Sequence, residues 1–235
     1  MKQHRFIGKF NIVPGIFKIS DFELVNQIRN VLKLKVGEKV ILCDGNNKEG
    51  VAEIKGYGKN LVEVEIQEIS VNQNEPERNV VLYCSILKKE NFELVVQKAT
   101  EIGVKEIVPI ITARTVKLDI RKDRLEKIIK EAAEQSGRGV VPVLYDPVNF
   151  QEAIKLSEDN DVKIIFDQFG KTDLRSQLQA TSYKLLAIFV GPEGGWTPEE
   201  LQTARDAGFE IVSLGKTTLR AETAAIIGTY LAVHK

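Results

Sequence analysis

The first 70 residues alternate between short apolar runs and turn residues. Residues 39–43 form an apolar run that leads into the turn sequence DGNN, and residues 50–54 follow as a second run, which is typical of a β-hairpin. Residues 61–66 (LVEVEI) alternate apolar and acidic positions, as a half-buried strand does. Residues 21–32 are the one helical candidate. The pattern predicts a small β-rich domain, a barrel, over residues 1–70.

A polar stretch at residues 71–79 separates this domain from the rest of the chain and has the composition of a linker. Over residues 80–235, apolar runs of strand length then alternate with helical patterns. The alternation predicts an α/β domain with a largely parallel sheet. Strands are expected at 80–85, 106–111, 163–166, 185–190 and 209–214, and helices at 91–102, at 125–136 and after the N-cap Thr197.

Two glycine-bearing segments each follow a predicted strand and precede a helical pattern: GPEGGWT at 191–197 and LGKTTLRAETAA at 214–225. We therefore expect both at the carboxyl edge of the sheet, where open α/β sheets bind ligands. The simplest interpretation is turn chemistry, with Glu222 in a helical first turn and Arg220 in a surface ion pair. However, Arg220, Glu193 and Glu222 converge on one edge, and this favours a ligand site.

Other catalytic motifs are weak or missing. Gly215-Lys216-Thr217 is similar to the end of a P-loop, but the position that needs the first glycine holds Glu210, which counts against a nucleotide-binding hydrolase. The sequence contains no GxSxG motif. With only His4 and His234, and no CxxC, neither His-based nucleophilic catalysis nor a His/Cys metal site is expected.

The composition, 43% hydrophobic and 28% charged, is ordinary for a globular protein, and no apolar run approaches the roughly 18 residues of a membrane span. The lone cysteines, Cys43 and Cys84, fit a reducing cytoplasm, which is the expected location. The net charge is zero. Basic residues nevertheless cluster, either as a solvated face or as a local phosphate-binding surface: Lys2, Arg5, Lys9 and Lys18, then Arg114, Lys117, Arg121, Lys122, Arg124 and Arg138.

Four motifs, in this order, resemble those of one known family: QKATEIGV at 97–104, EAAEQSGR at 131–138 with VP following, GPEGGWTPEE at 191–200, and GFEIVSLGKTTLRAETA at 208–224. The chain resembles the RsmE family of ribosomal RNA methyltransferases, in the SPOUT superfamily, over essentially its whole length. The resemblance implies a SPOUT-type α/β catalytic domain with a deep C-terminal trefoil knot, and an N-terminal PUA-like RNA-binding β-barrel. Periodicity alone predicts an unknotted Rossmann-like sheet, since true knots are almost absent from proteins.

The resemblance also implies methylation of N3 of one uridine in small-subunit (16S) ribosomal RNA, near the decoding centre, by a homodimer that needs no metal. S-adenosyl-L-methionine is then expected against the backbone of three knot loops. The expected cofactor-binding residues are Phe166, Val190, Gly191, Pro192, Glu193, Gly194, Gly195, Leu214, Gly215 and Leu219.

Neutral uracil carries a proton at N3, so the enzyme must remove this proton or stabilise the anion. We expect Arg220 to stabilise the developing charge, and Glu222 or Glu193 to accept the proton or orient Arg220. RNA phosphates are expected at Arg5, Lys9, Arg114 and Arg138. The neutral net charge favours a folded or partly assembled ribosomal subunit as the substrate. Two alternatives stay open: methylation of another rRNA or tRNA uridine, and a non-catalytic RNA-binding assembly factor.

Overall fold

The computed structural model describes residues 3–88, 90–116, 118–170, 172–173 and 184–234. The chain divides into two compact units. Unit 1 comprises Met1–Glu75 and Ala133–Val140, and unit 2 comprises Pro76–Ala132 and Val141–Lys235. The domain boundaries expected from the sequence, 1–70, 71–79 and 80–235, describe contiguous pieces and stay predictions. The units of the structure are discontinuous, because a short segment of the second half of the chain belongs to unit 1.

Unit 1 is built on a five-stranded sheet of β1 (His4–Ile7), β2 (Gly15–Ile19), β3 (Lys39–Cys43), β4 (Lys48–Tyr57) and β5 (Val62–Val71), in the order β1-β3-β4-β5-β2. The β1–β3 pair is parallel and the others are antiparallel. No pairing joins β1 to β2 within the described residues, so the strands form an open path where the sequence predicted a barrel. A helix covers the apolar face of the sheet, which therefore does not depend on closure.

This helix confirms the helical prediction for residues 21–32. It consists of α1 (Phe22–Asn26) and a π-helical continuation over Gln27–Val31. The carboxylate of Asp21 caps it by accepting the backbone N–H of Leu24 at 2.9 Å. Leu24 and Ile28 belong to the same buried cluster as residues from all five strands.

The end of the polar segment after β5 is held inside unit 1. Two nitrogens of the Arg138 guanidinium, Nε and Nη2, lie 3.2 and 2.9 Å from the two carboxylate oxygens of Glu75, and both side chains are buried. Glu75 also accepts the N–H of Gly139 at 3.0 Å, and the Asn72 amide donates to the Gly137 carbonyl at 3.0 Å. Although its composition is that of a linker, this part of the chain is therefore anchored by buried polar contacts.

Unit 2 contains a parallel sheet with helices on both faces. Its strands are β6 (Asn79–Ser85), β7 (Glu106–Ile111), β8 (Val143–Leu144), β9 (Val148–Asn149), β10 (Val162–Phe166), β11 (Thr172–Asp173), β12 (Leu185–Val190) and β13 (Glu210–Ser213). The order is β11-β13-β10-β12-β6-β7-β8, with β9 beside β7, and every described pairing is parallel. The helices are α2 (Glu90–Ile102), α3 (Lys122–Ser136), α4 (Phe150–Leu156), α5 (Pro198–Asp206) and α6 (Ala221–His234), and α3 continues from Ala133 into unit 1. The α/β prediction is confirmed.

Strand β12 is buried on both faces. Leu186, Ile188 and Val190 pack in a cluster with residues of α2 and α6, whereas Ala187 and Phe189 pack in a cluster with residues of α4 and α5. Such burial explains why its sequence, LLAIFV, is apolar throughout instead of alternating. The carboxyl end of β12 consequently lies in the middle of the unit, on a rigid base.

Candidate cofactor and catalytic site

Three neighbouring strands of unit 2 end at the same level. β10 lies between β13 and β12, and Phe166 pairs with Val190 of β12 and with Val212 of β13. Because the strands are parallel, the loops that follow them, residues 167–170, 191–197 and 214–220, leave from one edge of the sheet. This is the carboxyl edge at which the sequence predicted a ligand site.

A cavity of about 700 Å³ lies at this edge. Sites for small molecules typically measure roughly 300–1,000 Å³. The cavity is lined by all the residues that the sequence predicted for catalysis and cofactor binding: Arg220 and Glu222, with Phe166, Val190, Gly191, Pro192, Glu193, Gly194, Gly195, Leu214, Gly215 and Leu219. The fold therefore assembles three loops that are distant in sequence around one space.

The GPEGGW loop turns back sharply over the end of β12. Gly195 has a φ of +68°, in the left-handed region that favours glycine, and its N–H donates to the Pro192 carbonyl at 2.8 Å. Trp196 is buried, and its Nε1 donates to the Phe166 carbonyl at 2.9 Å. A Cβ atom on Gly191 would lie 3.0 Å from the Trp196 indole. The glycine thus allows the indole to pack against the loop, and the indole ties the loop to β10.

The loop after β13 is also tied to its neighbour. Gly215 has a φ of +148°, and its carbonyl accepts a hydrogen bond from the Ser213 hydroxyl at 2.8 Å. The Thr218 hydroxyl donates to the side-chain oxygen of Gln168 at 2.9 Å. Since Gln168 follows β10, this contact links two of the three loops across the cavity edge.

Arg220 and Glu222 lie at the start of α6. The Arg220 carbonyl accepts the N–H of Ala224 at 2.8 Å, so the helix begins here, and Glu222 occupies its first turn. Arg220 is exposed and Glu222 is half-buried. Neither side chain makes a hydrogen bond or an ion pair with another described residue. Both groups are therefore available to a molecule in the cavity.

Glu193 is engaged differently. Its Oε1 accepts the backbone N–H of Lys88 at 3.0 Å, and Lys88 follows β6, the strand beside β12. The carboxylate thereby anchors the GPEGGW loop to the next loop of the sheet.

Cys84 lies at the end of β6, near this carboxylate. Burial above all, and then the negative charge of Glu193, raise the pKa of the Cys84 thiol, which stays protonated and is not a nucleophile.

The sequence interpretation missed part of the cavity wall. Most of the additional lining residues flank predicted ones: Asp167, Gln168, Trp196, Ser213, Thr217, Thr218, Ala221 and Ala224. Extension of each motif by a few positions would have included them. Lys88 and Asn91 carry no such signal, because they follow β6 and reach the cavity only through the strand order β12-β6.

Two of the predicted RNA contacts are used inside unit 1. Arg138 is paired with Glu75, as described above. Arg5 donates to the Glu49 carboxylate and, at 2.8 Å, to the Cys43 sulfur, and its side chain is only 10% exposed. A buried guanidinium already bound to a carboxylate is not available to a phosphate. The expectation of phosphate contacts is therefore corrected for Arg5 and Arg138.

The other two predicted RNA contacts, Lys9 and Arg114, are exposed. Nη1 of Arg114 donates to the carbonyl of Gly194 at 2.7 Å, within the GPEGGW loop. In the second basic cluster, Lys122 and Arg124 form surface ion pairs, with partners Asp146 and Glu93. Lys2 and Lys117 lie outside the described residues.

Two other features, a metal centre and a membrane-spanning helix, are absent from the described part of the chain. No group of three or more His, Cys, Asp and Glu side chains there is arranged to hold a metal ion. None of the helices described is both long enough and apolar enough to cross a membrane.

Comparisons with known proteins agree with this site. The chain matches the model of an RNA methyltransferase domain over residues 73–232 and that of an RNA methyltransferase PUA domain over residues 21–67. It is 32% identical to the ribosomal RNA small subunit methyltransferase E of Bacillus subtilis, over 87% of this chain and 84% of the relative. The protein of the same name from Mesomycoplasma hyopneumoniae is 36% identical, over 71% and 74%.

Solved structures extend the likeness to three dimensions. The crystal structure of a ribosomal RNA small subunit methyltransferase E from Neisseria gonorrhoeae, bound to S-adenosyl methionine, has a TM-score of 0.88 at 31% identity, covering 97% of this chain and 95% of that one. A methyltransferase from Legionella pneumophila, in complex with the same cofactor, has a TM-score of 0.87 at 32% identity, covering 99% and 97%.

The parallel α/β sheet, the cavity at its carboxyl edge and the matching domain models define an RNA methyltransferase with a PUA domain. The sequence identity to relatives, over most of this chain and most of theirs, then identifies the family. The chain belongs to the ribosomal RNA small subunit methyltransferase E family, and the resemblance noted in its motifs is confirmed.

Proposed function

We propose that this protein transfers a methyl group from S-adenosylmethionine to N3 of one uridine in the 16S ribosomal RNA of the small subunit. The observation that carries the proposal is the cavity at the ends of β10, β12 and β13. In this cavity, glycine backbone that a ligand can approach closely lies with Arg220 and Glu222, whose side chains have no described partner. The cofactor is the one bound by the N. gonorrhoeae relative.

The residues around the cavity fit S-adenosylmethionine. Gly191 and Gly194 line the cavity without side chains, so their backbone is open to a ligand. Cβ atoms on them would meet Trp196 and Arg114 at 3.0 and 3.3 Å, so glycine also lets the loop pack closely. Partly buried leucines suit the faces of an adenine, and main-chain groups suit its edge. When bound, the cofactor supplies a methyl group on a positively charged sulfur. We assign its binding to Phe166, Val190, Gly191, Pro192, Glu193, Gly194, Gly195, Leu214, Gly215 and Leu219.

Arg220 is assigned to charge stabilisation. Neutral uracil has a proton on N3 and no lone pair there to form a bond, and loss of this proton spreads negative charge onto O2 and O4. A guanidinium carries several donors for such oxygens, and the N-terminus of α6 adds a positive potential beside it. Donors fixed where charge develops lower the barrier most.

Glu222 is assigned as the acceptor of the N3 proton. The sequence left Glu222 and Glu193 as equal candidates. Glu193 accepts the Lys88 N–H and so holds a loop, whereas Glu222 has no described partner and shares the start of α6 with Arg220. A general base must lie within hydrogen-bond reach of the proton that it accepts. The cavity adds to the rate by holding N3 in line with the methyl group.

RNA phosphates are assigned to Lys9 and Arg114, the two exposed candidates. Since the chain has no net charge, non-specific attraction to RNA is weak, and we propose that the substrate is the folded or partly assembled small subunit. Reversal of either charge is expected to weaken RNA binding and to flatten its salt dependence.

We propose a homodimer that uses the outer face of α6. This face exposes Ile227 and Tyr230, which are 38% and 53% exposed and one helical turn apart. Exposed apolar side chains of this kind are typical of an interface. Sedimentation of the wild-type protein and of Tyr230→Glu tests the assignment, and a wild-type monomer would contradict it.

The trefoil knot is likewise a proposal. β13 lies on the far side of β10 from β12, yet the following helix, α6, returns to pack on β12 and β6. This path supports a knot in which the chain after β13 passes through the loop formed by the β10–β12 connection. Residues 174–183 of that connection lie outside the described part. Pulling the chain by its ends tests the proposal, because a knotted chain extends to less than its full contour length.

The decisive experiment maps N3-methyluridine by mass spectrometry in RNA from cells with and without the gene. We expect one 16S position to lose the methyl group, whereas loss at another rRNA or at a tRNA would overturn the target. Calorimetry with S-adenosylmethionine separates the enzyme from a non-catalytic assembly factor, which would bind RNA and no cofactor. Gly191→Trp, whose side chain would displace the Trp196 indole and with it the loop, is expected to abolish cofactor binding, and circular dichroism checks that the variant is folded.

A further inference from the structure

We propose that Arg114 is a positioning residue that holds the GPEGGW loop in its cofactor-binding shape, in addition to any contact with RNA. The inference rests on the proposed function, since it concerns the affinity of that loop for S-adenosylmethionine. Arg114 does not line the cavity and comes from a different loop, after β7.

The loop that carries Arg114 is rigid. The backbone N–H of Thr112 donates to the Thr115 hydroxyl at 2.9 Å, the two threonine hydroxyls lie 2.9 Å apart, and the N–H of Thr115 donates to the Thr112 carbonyl at 3.1 Å. These bonds close a tight turn around Arg114. Its backbone is therefore fixed before any ligand arrives.

A buried carboxylate attaches this turn to the far end of the GPEGGW segment. Oε1 of Glu200 accepts the N–H of Ala113 at 2.8 Å, while Oε2 accepts the N–H of Thr197 at 2.9 Å. The Glu200 N–H donates in return to the Thr197 hydroxyl, which completes a capping box at the start of α5. Ala113, which precedes Arg114, and Thr197, which follows the GPEGGW loop, thus donate to the same carboxylate.

The Arg114 side chain makes the second attachment, at the tip of the loop. Nη1 lies 2.7 Å from the Gly194 carbonyl, and three side-chain carbons lie 3.3–3.8 Å from the position of a Gly194 Cβ. In the sheet order β12-β6-β7, the two loops are separated by one strand, about 10 Å from strand to strand. The loops nevertheless meet, because the Cβ of Arg114 lies 3.3 Å from the position of a Gly194 Cβ. The hydrogen bond has a charged donor and is therefore stronger than a neutral one.

This attachment matters because the loop contains two adjacent glycines. Gly194-Gly195 has more conformational freedom than any other pair of residues, and ordering it on binding costs affinity. Fixing the Gly194 carbonyl orients the peptide whose N–H, on Gly195, donates to Pro192. Arg114 thereby orders the loop in advance. The remaining guanidinium donors stay exposed, so an RNA phosphate can bind to the same side chain.

The test is calorimetry of S-adenosylmethionine binding, without RNA, to wild type, Arg114→Ala and Arg114→Lys. The control is Arg205→Ala, which removes an exposed arginine of α5. We expect about tenfold weaker binding for Arg114→Ala, which corresponds to about 1.4 kcal/mol, partial recovery with lysine, and wild-type affinity for the control. On small subunits at saturating RNA, Arg114→Ala is expected to raise KM for the cofactor about tenfold with a smaller change in kcat.

The outcomes separate this inference from the proposed function. A wild-type protein that binds no S-adenosylmethionine would overturn the proposed function itself. If the wild type binds and Arg114→Ala binds equally well, Arg114 does not position the loop, even where the variant has lost RNA affinity. Equal losses in Arg114→Ala and Arg205→Ala would also overturn the inference, since they would reflect net charge.

Discussion

The backbone of Gly228 in α6 lies directly against the ring of Phe166 at the end of β10. A Cβ atom on Gly228 would be less than 3.0 Å from two atoms of the ring. The carbonyl of the same Phe166 accepts the Trp196 indole N–H of the GPEGGW loop. One residue therefore supports both sides of the cavity, with its ring against the helix that begins at Arg220 and its backbone against the cofactor loop.

Gly228→Ala is expected to destabilise the protein by about 1–3 kcal/mol, as overpacking of a core does. At an unconstrained helical position the same change stabilises by up to about 1 kcal/mol, so the sign of the effect is the test. Urea unfolding at pH 7 measures it. Gly56→Ala is the control, because a Cβ there meets no atom within 4 Å. Stabilisation of the Gly228 variant would show that the helix is not seated on Phe166.

Arg220→Ala is expected to slow single-turnover methylation, at saturating cofactor, by about 10²–10³-fold, the loss typical when one donor to a developing negative charge is removed. Cofactor affinity is expected to change little, since the charge arises on the uracil. Rapid-quench assays on small subunits, with Arg205→Ala alongside, measure the rate. A rate near that of wild type would remove Arg220 from the mechanism.

Glu222→Gln keeps the shape of the side chain and removes the carboxylate. If Glu222 accepts the N3 proton, the rate is expected to fall by about 10²–10⁴-fold, while cofactor binding persists. The corresponding Glu193→Gln is expected to affect cofactor affinity more than rate, because Glu193 holds the Lys88 N–H. If Glu193→Gln lowers the single-turnover rate more than Glu222→Gln does, the two assignments are exchanged.

The ion pair between Arg5 and Glu49 makes unit 1 sensitive to acid. Burial opposes ionisation of Glu49, but hydrogen bonds from Arg5 and Asn72 outweigh it and lower the pKa of this carboxyl. Its stabilisation is therefore complete above the unfolded pKa, near 4.3, and is lost as pH falls through the lower folded value.

Glu49→Gln is accordingly expected to cost about 1–3 kcal/mol at neutral pH and progressively less below about pH 4. Guanidinium unfolding of wild type and variant at several pH values measures the difference. Glu63→Gln, which removes a more exposed carboxylate 3.9 Å from Lys18, is the control. A pH-independent difference would show that the charge of Glu49 is not involved.

Both thiols are expected to be unreactive in the native protein. Cys43 and Cys84 are completely buried, and burial raises the pKa of Cys43 to about 11 although Arg5 opposes the shift. At pH 8 we expect iodoacetamide to leave both unmodified over an hour and to alkylate both in urea, as read by mass spectrometry. Rapid native alkylation of either thiol would contradict its burial.

Much of this molecule could be predicted because its signals are local. Hydrophobic periodicity identified the longer strands and most helices, since burial repeats every two residues in a strand and about every 3.6 in a helix. It did not mark β1, β2 or α4, which are short. Turn chemistry placed the two glycine-bearing loops, because glycine, proline and a capping box mark where a strand turns into a helix, and the ends of parallel strands share one edge. The resemblance of the loop motifs to a known family implied the cofactor.

The tertiary structure alone decided which distant groups meet. In the sequence, Arg138 and Arg114 are two similar basic residues, but one is buried against Glu75 and the other reaches the Gly194 carbonyl. Lys88 joins the cavity only because β6 lies beside β12. Periodicity reports which face of an element is buried. It does not report strand order or the partner of a charge, because these depend on contacts between residues far apart along the chain.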